Sequence, residues 1–123
     1  MTIVETVVKV LDDAGIRAKR GYPTAVMPAL TDVAAAVRLH ELNQGKINAC
    51  VAISVFAPPK IGAQACEDMA LRVCRTLYAH GGICRAVAVD YLASADVFCT
   101  EVYATFSGRE TENGWVVYYP PEE

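Results

Sequence analysis

The sequence predicts an α+β fold, a mostly antiparallel sheet of about five strands packed against two helices in the order helix, strands, helix, strands. Three observations carry this. Apolar residues recur at helical spacing twice, over Ile3–Leu11 and over Ala65–Leu77. Runs that alternate apolar and polar fill much of the remainder. Turn signals separate those runs, at Asn43-Gln44-Gly45-Lys46, Leu92-Ala93-Ser94-Ala95-Asp96 and Asn113-Gly114. At 123 residues the chain suits one domain, residues 1–123, with 109–123 either an extra strand or an interface arm.

The N-terminal helix begins with Thr2 and Glu5 at capping-box spacing. Ile3, Val4, Val7, Val8 and Leu11 then share one face until Gly15 ends it. Ile16–Arg20 alternates apolar with cationic residues and reads as a brief strand entering the turn Gly21-Tyr22-Pro23. Val33–Leu42 contains three consecutive alanines, which favour helix, yet Val33, Ala35, Val37 and Leu39 alternate with a period of two. The glycine-bearing loop after it and the alternating run Ile47–Val55 beyond decide for a hairpin. Pro58-Pro59 ends that strand.

The long helix, Gly62–His80, has Ala65, Cys66, Met69, Ala70, Val73, Cys74 and Leu77 as its buried stripe. Gln64, Asp68, Arg72 and Arg75 form its solvated face, with Asp68 and Arg72 at ion-pair spacing. Gly81-Gly82 stops it. Ile83–Tyr91 and Val97–Ser107 are rich in β-branched and aromatic residues and read as another antiparallel pair. Trp115–Tyr119 is a last apolar segment before Pro120-Pro121, either a strand that completes the sheet or an arm that meets a neighbour.

Composition narrows the function. A net charge of −3 with scattered lysines and arginines leaves no footprint for sequence-specific nucleic-acid binding. No stretch reaches the ~20 apolar residues of a membrane span, so a cytoplasmic protein is expected. Hydrophobic residues make up 54% of the chain, but 19 of them are alanines, so the apolar excess is modest.

The five cysteines, 50, 66, 74, 84 and 99, form no C-x-x-C pair and each lies in an apolar segment, as buried thiols of a reducing compartment do. Cys66 and Cys74 sit two helical turns apart, ~12 Å, too far for a disulfide. His40 and His80 are the only histidines and lie on different elements, so no metal site is expected. Glu67 and Asp68 point about 100° apart on their helix and make no catalytic carboxylate pair. The glycines form no nucleotide cradle. No catalytic, cofactor-binding or metal residue is expected, and the chain reads as a non-enzyme.

This layout resembles the tail terminator proteins of long-tailed phages and the related neck and minor tail proteins, whose shared order is helix, three strands, helix, two strands. The resemblance rests on the Thr2–Gly15 helix and on the strand Ile47–Phe56 running into Ala57-Pro58-Pro59. It rests also on the late pair Ala86–Tyr91 and Phe98–Phe106. It implies a structural virion or prophage protein: a homo-oligomeric ring, usually of six subunits, that caps the tail tube and meets both the tube protein and the head connector. Such a protein would be cytoplasmic during assembly and part of the virion tail afterwards. An acidic balance would suit a channel that DNA traverses. The segment after Gly108 departs from the shortest members of the family.

Two apolar segments broken by glycine or proline, Tyr22–Pro28 and Trp115–Tyr119, are the candidate subunit or tube contacts, through Tyr22, Met27, Trp115 and Tyr118. The alternatives are another neck or minor tail role on the same fold, or a small ligand-binding or catalytic domain. The latter would place Tyr91, Glu101 or His40 in a cleft between the long helix and the sheet.

Overall fold

Residues 2–21, 32–43, 48–112 and 114–117 are described by the structure, a computed structural model. Helix α1 spans Ile3–Asp13 and opens on the expected capping box: Thr2 N–H donates to Glu5 Oε1 at 2.9 Å, and Glu5 N–H donates to Thr2 Oγ1 at 3.2 Å. Ala14 caps its C-terminus, and Gly15 follows at φ +81°, in the left-handed region open to glycine. Strand β1, Ala18–Arg20, then pairs in parallel with β2, Ala34–Asn43.

β2 and β3, Asn48–Ala57, form the expected antiparallel hairpin. Helix α2, Ala63–Tyr78, crosses back over the sheet. The run expected as one strand over Ile83–Tyr91 is two: β4, Gly82–Ala86, and β5, Asp90–Leu92, both antiparallel to the 15-residue β6, Val97–Thr111. β7, Gly114–Val117, pairs with the far end of β6 and touches α1. The order across the sheet is β1-β2-β3-β6-β4, so the only parallel neighbours on this path are at one edge.

Both helices lie on one face of the sheet. The main core joins Val4, Val7 and Leu11 of α1 and Cys66, Val73 and Leu77 of α2 to Val51, Ile53, Val55, Val102 and Phe106. Met69 is partly buried against it, as its place in the α2 stripe predicts. Gly82 admits no side chain, since a Cβ there would meet the Phe106 ring at 2.8 Å. On the other face, Ala34, Ala36, Phe56 and Val97 make a second, smaller cluster. Two-sided burial of the alanine run explains why its sequence pattern was ambiguous between helix and strand.

The Asp68–Arg72 ion pair does not form. Asp68 accepts from Gln64 Nε2 at 2.9 Å, and the Arg72 guanidinium donates instead to the Ala14 carbonyl at the end of α1. A carbonyl that α1 itself cannot satisfy takes the cation, which ties the two helices together.

Candidate functional site

Three surfaces among the described residues carry side chains that lie outside the two apolar clusters. The first is the sheet face turned away from the helices. Arg38 donates to Ser54 Oγ at 2.8 Å and to Glu101 Oε1 at 3.2 Å, and Ser54 Oγ donates to Glu101 Oε2 at 2.6 Å. The three sit on adjacent strands because Ser54 pairs with both Ala36 and Glu101. Tyr103 lies beside them with the His40 ring 4.9 Å away and the Arg85 guanidinium 4.8 Å from its centroid.

Burial pushes the Glu101 carboxyl up, but the Ser54 hydrogen bond, the Arg38 charge and a Tyr103 hydrogen bond together hold it below the ordinary carboxylate range. The same carboxylate raises the Tyr103 phenol. A carboxylate so engaged is a weak base, and Ser54 already donates its proton to it. This geometry suits a fixed, polar sheet surface better than nucleophilic chemistry.

The grouping of Tyr91, Glu101 and His40 in a helix–sheet cleft is corrected. Glu101 and His40 both flank Tyr103 on the face away from the helices, and the Tyr91 hydroxyl bonds Asp96 in the β5–β6 turn. A groove beside the helices has a volume of about 240 Å³ and is lined mostly by apolar groups, from Ile3, Thr6, Val7, Val10, Leu77, His80 and Phe106. That is below the ~300–1,000 Å³ of ordinary ligand sites.

The second surface lies at one end of the sheet. β3 begins at Asn48, opposite Ser107, and β6 continues past it to Thr111 before β7 returns. Leu39 and Leu42 of β2 stand at the same end, 47% and 45% exposed. β1 stops opposite Val37, so Leu39 lies past its cover. A one-residue bulge at His40 then sets Leu42 opposite Ala49, on the same face as Leu39. Leu39 belongs to the period-two alternation of Val33, Ala35 and Val37, and Leu42 does not; the bulge that sets them on one face has no sequence signal here.

Of the candidate contact residues, Tyr22, Met27 and Tyr118 lie outside the described residues. Trp115 is placed by its backbone in β7, opposite Glu110. The third surface is the β4–β5 edge, where Ile83, Val87, Tyr91 and Leu92 are exposed.

Cys66 lies in the packed interior, and Cys74, Cys84 and Cys99 lie against it. Burial pushes the Cys66 thiol up to about 11 and the Cys84 thiol up to about 12, and raises Cys74 and Cys99 as well. Among the described residues no three His, Cys, Asp or Glu side chains gather as a metal site, and no helix is long and apolar enough to cross a membrane. No protein-family model matches the chain, and no curated protein matches it in sequence.

Proposed function

We propose that the chain is a structural assembly protein, a tail-terminator-like subunit that forms a homo-oligomeric ring, caps a tail tube and offers its other side to a head connector. One observation supports this reading above the rest. The exposed leucines of β2 and the β6–β7 hairpin that bears Trp115 share one end of the sheet. Half-exposed large apolar residues gathered beside an extended hairpin are what a subunit contact uses and a solitary domain seldom displays. The element order follows the family's layout of helix, three strands and helix through α2, and then differs from it in carrying four strands instead of two.

In this reading the mechanism is geometric. A head-to-tail contact closes into a ring when the rotation per subunit fits, and the closed ring seats on the last tube ring without recruiting another. The test replaces Trp115 with Ala and, separately, Leu42 with Ser, then follows folding by circular dichroism and tube capping by electron microscopy with the matching tube protein. Both variants are expected to fold and to leave tubes of uncontrolled length. Folded variants that still capped tubes at normal length would remove this end of the sheet from the contact.

A further inference from the structure

The β4–β5 edge contains a built-in change of register. Ala86 pairs with Val102 and Asp90 with Cys99, so Val87–Val89, three residues, face only Thr100 and Glu101 on β6. Val87 still donates its N–H to the Glu101 carbonyl at 3.0 Å, so the edge stays against β6 through this bulge. The extra residue switches the alternation. Ile83 and Arg85 stand opposite Thr105 and Tyr103, while Asp90 and Leu92 stand opposite Cys99 and Val97. All four therefore point to the face away from the helices, although two are odd-numbered and two even. In a regular strand they would fall on opposite faces.

This arrangement is self-complementary. When the edge meets the same edge of another copy antiparallel, about a two-fold axis perpendicular to the sheet, opposed residues share a face. The register that sets Arg85 opposite the partner's Asp90 also sets Ile83 opposite its Leu92, and symmetry repeats both pairs. Cys84 and Tyr91 meet on the helix side. Moving the register by two residues either way sets the charges against apolar side chains. All four outward groups are exposed, Ile83 at 52% and Leu92 at 38%. Arg85 is already held over the Tyr103 ring, which lowers the ordering cost of using it.

We infer that the free protein dimerises through this edge, β4 and β5 of one copy pairing antiparallel with β5 and β4 of a second copy, in the register fixed by Arg85 and Asp90. A bulge and isolated charges ordinarily keep an edge strand solitary. Here the bulge aligns the charges with their opposites in a second copy. The inference goes beyond the ring reading: a two-fold pair does not close a one-sided cap ring, so the pair would part before the ring forms.

Charge exchange tests it. Sedimentation equilibrium of the wild type is expected to show a monomer–dimer equilibrium. Arg85→Asp and Asp90→Arg should each weaken it about tenfold or more, because each turns two cross-strand attractions into two repulsions. The two single variants mixed should form a one-to-one heterodimer, and the double variant should regain wild-type affinity. Circular dichroism checks that each variant is folded.

A wild type monomeric at every concentration, or a dimer that none of the exchanges weakens, overturns the inference. The ring reading fails separately: a monomeric wild type that caps tubes sinks the edge dimer alone, and a charge-dependent dimer that never caps tubes sinks the ring alone.

Discussion

Glu101 shows how one side chain sets the character of a whole surface. It sits on the sheet face turned away from the helices, with its carboxylate shared between Ser54 and Arg38. The Arg38–Glu101 pair is largely covered, at 23% and 29% side-chain exposure, so it is screened less than a surface pair. Because the folded-state pKa lies below its unfolded value, its stabilisation is fully present above the ordinary carboxylate range and is lost as pH falls through the folded pKa. Glu101→Gln should therefore cost about 1–2 kcal/mol at pH 7 and nearly nothing at the acid end of the denaturation curve. Urea melts of both proteins from pH 7 to pH 3 check this; a penalty independent of pH would mean that the carboxylate charge contributes nothing. Tyr103 hydrogen-bonds the same carboxylate and itself carries the His40 ring and the Arg85 guanidinium, which extends the polar character of this face.

Helix α2 binds the fold together at the next scale. Its buried residues Cys66, Ala70, Val73 and Leu77 follow helical spacing and lie on strands whose inward residues are Val51, Ile53, Val55 and Val102. Its N-terminal end is tied further by Cys66 Sγ, which donates to the Val55 carbonyl at 3.4 Å, and its middle by Arg72 reaching α1. Val73 has no exposed surface, so Val73→Asp would strand a charge in the main core at a cost of several kcal/mol against a total of about 5–15. The variant is expected to be unfolded or molten at 25 °C by near-ultraviolet circular dichroism. A cooperative melt at the wild-type temperature would show that α2 does not present this face to the sheet.

For the whole molecule, the sequence made legible what repeats and hid what interrupts. The capping box at Thr2 and Glu5, the α2 stripe and the β2–β3 hairpin follow from periodicities and turn residues that act locally. The bulges at His40 and Val87–Val89, which decide where Leu42, Arg85 and Asp90 point, arise from pairing with distant strands and leave no local mark. The same holds for Arg72, whose partner across the fold outcompetes the one a turn away. A core assembled from such distant parts should open as a unit, and Cys66 reports on that. It has no exposed surface, lies between α2 and β3, and its thiol is pushed by burial up to about 11, so at pH 8 only on the order of a thousandth would be thiolate even if reached. Alkylation of Cys66, located by peptide mass spectrometry, is expected only through global unfolding. Its dependence on urea should then match the slope of the equilibrium melt, with an opening free energy equal to the global stability. Labelling through a shallower urea dependence would mean that α2 lifts from the sheet by itself, and the two helices and the sheet would then not be one cooperative unit.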